Sequence, residues 1–460
     1  MNFHGREEEL AILEQAYAGD GYEGILIYGR RRIGKTELVK ESFSRTSARV
    51  IYYESKRISE KSNVMSLAEI LSFVFSIPVP AFESIEKILD YIFTVAENEK
   101  IILVIDEYPY LREKIDGCDS IFQAVIDRHI GRSNIKLILC GSYVDTMVKL
   151  TEESNPLFGR LSVKLKIGQL DYYDAAKFYP SFCDRDKVKL YAVFGGVPYY
   201  LQFIDSTKSV KENIMELICS KNARLLSESE QLTAGEIRKM SNANEVFMAI
   251  AKGYRKFGDI LSHSDVSSSP SLADILKKLT DMEIIEKTYP INDEREKKSI
   301  YTVADRLTLF YYTYIFRRLS FFSVMPTEDF YDEFVAQDFE TEFVPKAYEI
   351  IARQFLIRQN QNGKIKPVLY KIGKYYYDDS IHKKNGEFDV VTLDRDGYKF
   401  YEVKFTGCPV GQQVVKEELS QIENVGIKSE RLGFFSASGF ENVPEQFETY
   451  NIDEIYYTGG

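Results

Sequence analysis

The run Ile25-Leu26-Ile27-Tyr28-Gly29-Arg30-Arg31-Arg32-Ile33-Gly34-Lys35-Thr36-Glu37-Leu38-Val39-Lys40 decides the fold. Its first four residues read as a buried strand and its last four as the start of a helix. Between them lies a glycine-bounded loop ending in Lys-Thr, the context a phosphate-binding loop requires. Gly29 and Gly34 allow the backbone to turn its N–H groups toward an anion. The helix that follows adds unpaired N–H groups and a partial positive charge. Lys35 can reach β- and γ-phosphates, and the Thr36 hydroxyl can join a Mg²⁺ shell. The nucleotide-binding candidates are therefore Gly29, Arg30, Arg31, Arg32, Ile33, Gly34, Lys35, Thr36 and Glu37.

Outward from the loop, a second strand is expected at Arg49–Tyr53 and a third at Ile101–Ile105, ending in Asp106-Glu107. Five consecutive apolar residues suit a parallel strand buried on both faces. Ligands of open α/β sheets sit beyond the carboxyl ends of strands. That places Asp106 to hold Mg²⁺ and Glu107 to orient and deprotonate an attacking water. A further strand, Ile135–Cys140, ends at Gly141-Ser142. Ser142 is a candidate for a hydrogen bond to the γ-phosphate or the water, or a simple turn serine. Arg160, in Asn155-Pro156-Leu157-Phe158-Gly159-Arg160, is a candidate arginine finger, in cis or from a neighbouring subunit, or a surface arginine. The N-terminal helix after Phe3-His4-Gly5-Arg6 either packs beside a nucleotide base or only on the domain.

Length and composition bound the rest. A chain of 460 residues exceeds one core. Apolar content of 44% and charged content of 28% are those of a globular protein. The net charge of −11 argues against a general polycation. The reading is cytoplasmic and non-membrane: there is no signal-peptide pattern, no spanning apolar run, and five scattered cysteines without a CxxC pair. Four scattered histidines give no zinc pattern.

The motifs Phe3-His4-Gly5-Arg6, Gly29–Thr36, Ile105-Asp106-Glu107-Tyr108-Pro109-Tyr110-Leu111, Leu139-Cys140-Gly141-Ser142 and Pro156–Arg160 resemble the archaeal-type ATPase family. That family is a branch of the AAA-related, STAND-like P-loop ATPases. The resemblance implies an ASCE-type core with the catalytic glutamate directly after the Mg²⁺ aspartate, and ATP and Mg²⁺ as ligands. It also implies that Gly195-Gly196-Val197-Pro198-Tyr199-Tyr200-Leu201 lies in a small helical lid beside the nucleotide. The expected fold class is α/β and multidomain: a P-loop core over 1–165, a helical lid over 166–235, a winged helix–turn–helix over 236–318 and a further α/β domain over 319–460.

In the third segment, helices near 245–250, 257–261 and 272–282 precede a hairpin around the charged tip Asp293–Lys298. The third helix can enter a major groove, but its exposed Lys277 and Lys278 are balanced by Asp274 and Asp281. Such a module serves equally as a protein contact.

The C-terminal segment holds 24 acidic and 15 basic residues from Phe321 to Gly460. A helix is expected over Phe334–Leu356, then strands at 368–377, 386–391 and 398–405, a helix near 410–424 and a strand at 432–435. Glu402 and Lys404 share one strand face, and a hairpin partner brings Asp389 alongside. Such carboxylates can bind Mg²⁺ while Lys404 polarises a water, and Glu340 can complete the site. This order, with Asp then Glu-x-Lys, resembles the PD-(D/E)XK nuclease superfamily, and the segment looks like the domain that commonly accompanies the ATPase family. The alternative is an amphipathic hairpin with solvated charges. Lys364, Lys366, Lys371, Lys374, Lys383 and Lys384 interleave with Tyr370 and Tyr375–Tyr377, either as a nucleic-acid surface or as a guarded sheet edge. Three functions stand open: an ATPase coupled to a metal-dependent DNA nuclease or DNA-binding domain, a signalling ATPase whose nuclease fold only binds, and a protein-interaction ATPase. An arginine finger acting in trans would require a homo-oligomer.

Overall fold

A computed structural model describes residues 3–228, 242–295, 298–379, 384–424, 426 and 431–457. Lys383, Glu296, Lys297 and the expected boundary between 235 and 236 lie outside these residues. The chain forms two compact units: 1–169 with 197–199, and 170–196 with 200–460. This is coarser than the four segments expected, and it divides the expected lid.

The first unit is an α/β domain. Helix α1 (Glu7–Ala18) precedes β1 (Glu23–Tyr28) and α2 (Lys35–Ser42). Strand β2 (Arg49–Glu54) leads through α3 (Glu60–Phe75) and α4 (Ile85–Val95) to β3 (Ile101–Asp106). Then come α5 (Tyr108–Lys114), α6 (Cys118–His129), β4 (Ile135–Gly141), α7 (Val144–Lys149) and β5 (Val163–Lys166). The strand order is β2-β3-β4-β1-β5, and every pairing is parallel. All residues of β3 and β4 are buried, as parallel strands covered on both faces must be. Helix α4 starts cleanly because the Ser84 hydroxyl accepts from Lys87 N–H, and its Ile88, Leu89, Ile92 and Phe93 face the core. The topology leaves β4 between β1 and β3. The phosphate loop and the acidic strand end are thus one strand apart, with Ser142 between them.

The second unit begins with α8 (Tyr172–Ala176) and α9 (Asp184–Phe194). Three helices follow, α10 (Ala243–Ala251), α11 (Phe257–His263) and α12 (Ser269–Asp281), with an antiparallel pair β6 (Ile285–Thr288) and β7 (Ile300–Val303). Helices α13 (Thr327–Phe334) and α14 (Val344–Gln361) lead to β8 (Lys371–Asp379), β9 (Lys384–Asp394) and β10 (Gly397–Lys404). Helix α15 (Gln412–Asn424), β11 (Leu432–Ser436) and β12 (Glu448–Asn451) complete it. The sheet order is β12-β11-β10-β9-β8, antiparallel from β8 to β10 and parallel from β10 to β12. Phe388, Val391, Phe400, Val415, Ile422 and Phe434 form its core.

Three expectations change here. The helix over Phe334–Leu356 is broken: α13 ends at Phe334, and a π-helical turn at Phe339–Phe343 precedes α14, whose second residue is Pro345. The first strand of this sheet starts at Lys371 rather than Val368, and β12 was not anticipated.

The linker between β6 and β7 is not a free tip. Ile291 N–H donates to Lys374 O at 2.7 Å. Asn292 exchanges hydrogen bonds with the Tyr376 backbone, donating to its carbonyl at 2.7 Å and accepting from its N–H at 3.1 Å. Glu294 pairs with Lys371. This segment therefore covers the β8 edge, which would otherwise offer unpaired backbone groups.

Nor do the lysines of β8 make a continuous basic surface. Lys374 is turned in among carboxylates, and Tyr375 packs on Phe388, Tyr398 and Phe400. No helix among the described residues is long and apolar enough to cross a membrane.

Candidate functional site

The loop after β1 is fixed by close approaches. Gly29 has φ 155°, and a Cβ there would meet Ile167 O at 2.2 Å. Gly34 has φ 91° and caps α2 in the left-handed region, which glycine adopts without strain. Arg6 donates to Ile33 O at 3.3 Å and also to Gly168 O, fastening the N-terminal segment to the loop. Ile33 is buried and locks the loop onto the core.

Lys35 is buried, and burial lowers its ammonium below the usual lysine range. Nζ donates to Gly29 O at 2.8 Å, Arg30 O at 2.9 Å and Ser142 Oγ at 2.9 Å. Ser142 Oγ donates to Glu107 Oε1 at 2.8 Å. Thr36 Oγ1 donates to Asp106 Oδ2 at 2.7 Å. The expected residues Lys35, Thr36, Asp106, Glu107 and Ser142 thus converge in one hydrogen-bonded group.

Glu107 lies at φ 49°, in the left-handed region, which is rare for a side chain larger than glycine's. Its Oε2 is buried with no hydrogen-bond partner. An orphaned carboxylate oxygen beside a lysine and a serine is a fit for a polar ligand such as water. The loop N–H groups, Lys35 and the Thr36–Asp106 pair fit a nucleotide triphosphate with Mg²⁺ in the same way.

Several residues were not legible in the sequence. Tyr52, on β2, donates to Asp106 Oδ2 at 2.6 Å, so two hydroxyls hold one carboxylate oxygen. Burial and the bond to Asp106 push the Tyr52 phenol well above its ordinary range. Arg31 reaches out of the loop to Tyr110 Oη at 2.9 Å and Tyr143 Oη at 3.0 Å. Arg57 donates to Tyr143 Oη at 2.7 Å and lies 4.5 Å from the centre of the Tyr110 ring. Arg32 lies 4.7 Å from the centre of the Tyr199 ring. Strand register and loop packing, not local pattern, bring these groups in.

Two expectations fail. Glu37 is exposed and faces Lys40 at 3.6 Å, because its place on α2 points its side chain away from the loop. Arg160 is not a finger in cis. It makes a two-pronged pair with Asp127 at 2.7 and 2.6 Å and donates to Pro156 O and Phe158 O. Its carbonyl accepts from Tyr22 beside Gly24, at the amino end of β1 and away from the loop.

Residues 3–204 match the family described as an ATPase domain predominantly from Archaea, and residues 311–422 match a family of archaeal and bacterial proteins of unknown function. An uncharacterized protein of Methanocaldococcus jannaschii is 30% identical over 411 residues, which cover 88% of this chain and 87% of that one. The chain belongs to this archaeal-type ATPase family. A Walker-type ATPase of Pyrococcus abyssi superposes with a TM-score of 0.51 at 19% identity, over 67% of this chain and 96% of that one. That likeness shows the shared fold, an α/β parallel-sheet core of the P-loop ATPases. The ORC2 protein of Aeropyrum pernix, solved with ADPNP and ADP, gives a TM-score of 0.48 at 15% identity over 68% of this chain and 92% of that one.

The second unit of this ATPase-family chain carries its own cluster. Asp389, Glu402 and Lys404 line one pocket of about 510 Å³ together with Glu340, Glu349 and Arg185. The β9–β10 register ends at Val390 opposite Tyr401, so its continuation sets Asp389 opposite Glu402. Lys404 pairs with Glu402, and Lys374 pairs with Asp389 and, at 3.1 Å, with Glu387.

Glu340 lines the pocket while paired with Lys189 at 2.7 Å. Glu349, nine positions later on α14, is the acid beside Asp389: burial and then the Asp389 charge push its carboxyl up to about 7. On α15, burial and Glu402 push Glu418 up to about 8. Among the described residues, no three His, Cys, Asp or Glu side chains are placed to hold a metal ion.

Proposed function

We propose that this ATPase binds ATP with Mg²⁺ at the Gly29–Thr36 loop and hydrolyses it with Glu107 as general base. The observation that carries the reading is the continuous chain Lys35–Ser142–Glu107 beside Thr36–Asp106. When bound, Mg²⁺ would supply neutralisation of phosphate charge. Thr36 and Asp106 would hold it, and Tyr52 keeps Asp106 turned toward Thr36. Lys35 exchanges loop carbonyls for phosphate oxygens, a stronger charge-assisted contact. Ser142, released from Lys35, reports on the same oxygens. Glu107 Oε2 takes the proton of the attacking water.

The C-terminal pocket supports a second activity: metal-dependent hydrolysis of a DNA phosphodiester, with Asp389 and Glu402 as metal-holding carboxylates and Lys404 polarising the water. Their fit is the pair of carboxylates on adjacent strands facing one pocket, with a raised carboxyl at Glu349 available to ionise when a cation arrives. The three-helix and β6–β7 segment is proposed to act as a winged helix in contact with DNA or protein. One observation favours a binding-only site: lysines already pair with Asp389 and Glu402, which offsets the charge that would draw a metal. ATPase and nuclease assays on one preparation, with and without DNA, in Mg²⁺ and in Mn²⁺, test both parts. Cleavage that disappears in Asp389→Ala and Lys404→Ala is expected. A parent protein that turns over ATP but cuts no DNA selects the binding-only reading.

A further inference from the structure

Helix α9 lies inside the 3–204 segment matched by the ATPase family, yet it folds with the second unit. It packs beside α14, and its Arg185 lines the same pocket as Asp389, Glu402 and Lys404. Arg185 is held there firmly. Its Nη1 donates to Thr406 O at 3.0 Å, Ala437 O at 3.2 Å and Ser438 Oγ at 3.1 Å. Its guanidinium lies 4.5 Å from the centre of the Phe405 ring.

These contacts use one of the three nitrogens. Nε and Nη2 make no hydrogen bond to a described residue, and no carboxylate among the described residues pairs with this guanidinium. Three other cations of the region are committed: Lys189 to Glu340, Lys404 to Glu402, and Lys187 to Asp184. Arg185 therefore presents a pre-positioned, planar donor edge at a pocket that Glu340, Glu349, Asp389, Glu402 and Lys404 also line. A fork of that kind matches a phosphate or phosphodiester oxygen pair.

We propose that Arg185 holds a backbone phosphate of DNA in the C-terminal pocket, so that a helix from the ATPase-matched segment forms part of that site. The inference rests on the phosphodiester reading of the pocket and adds a ligand-holding residue from outside the C-terminal sheet.

The test is binding of a fluorescein-labelled DNA duplex to the full chain in Ca²⁺, read by anisotropy across a salt series, with cleavage in Mg²⁺ measured alongside. Arg185→Gln is expected to weaken binding about ten-fold and to lower the slope of log affinity against log salt by about one phosphate contact. Arg185→Lys keeps a cation and is expected to weaken binding while leaving the slope unchanged, which supplies the reading if Arg185→Gln does not fold. Parent affinity and slope in both variants, with cleavage abolished by Asp389→Ala, overturn the role of Arg185 and leave the site reading intact. A parent that neither binds nor cuts the duplex overturns the site reading, and this inference with it.

Discussion

Each unit sets acids against lysine, and the two arrangements differ in what the lysines touch. Lys35 is held by backbone carbonyls and Ser142, so Asp106 and Glu107 remain free of ion pairs with it. Lys404 and Lys374 instead pair directly with Glu402 and Asp389. The first site is organised for an anion: its lysine can turn to phosphate at the cost of weak neutral contacts. On the proposed metal-dependent reading, the second would trade ion pairs for a metal, and Glu349 would lose a proton as well. On the proposed reading, the same residue types give a preorganised nucleotide site in one place and a cation-dependent site in the other.

Separating the two chemistries should produce the largest effect. Lys404→Ala is expected to lower Mg²⁺-dependent DNA cleavage by at least about a hundred-fold, the usual scale for a lost proton-transfer group, with ATP turnover unchanged. Parallel gel and phosphate-release assays check this. Next, Lys35→Ala is expected to weaken ATP binding by about 3 kcal/mol, roughly a hundred-fold, from the loss of charge-assisted hydrogen bonds. Calorimetric titration reads it, and DNA binding should not change.

A smaller effect belongs to Tyr52, a positioning residue for Asp106. Tyr52→Phe is expected to raise the Mg²⁺ concentration needed for tight binding of a fluorescent nucleotide by about ten-fold, as for other groups that orient metal ligands. An unchanged Mg²⁺ requirement would leave Tyr52 a packing residue.

The smallest effect concerns pH. Glu349 is raised to about 7 by burial and by Asp389, so the folded protein holds a proton there that the unfolded chain has lost above its ordinary carboxylate range. Its contribution to stability is present below about pH 4.5 and is lost as pH rises through about 7. Metal-free melting temperatures should therefore decline less between pH 5 and pH 8 in Glu349→Gln than in the parent. Cleavage should rise over the same window as Glu349 ionises.

Legibility followed the same division. The loop, its strand and its helix are contiguous, so Gly29, Gly34, Lys35 and Thr36 could be read from local pattern. Asp106 and Glu107 were readable because a buried strand ends at them. Tyr52 was not, because its place depends on the parallel register of β2 with β3. In the C-terminal unit, Glu402 and Lys404 follow from strand alternation, but choosing Glu349 over Glu340 depends on the π-helical turn at Phe339–Phe343, which resets the helix face. The docking of residues 291–294 on β8 is a long-range pairing with no local signal. Arg160 misled because its loop resembles a finger while Asp127, far away in sequence, holds it at the other end of β1.

The most direct measurement compares equilibrium ATP binding with single-turnover hydrolysis in Glu107→Gln and the parent. ATP affinity within a few-fold of the parent, with hydrolysis slowed by about a hundred-fold or more, is the expected result. Equal hydrolysis rates in the two proteins would contradict the assignment of Glu107 as the base that activates water at the Lys35–Thr36 loop.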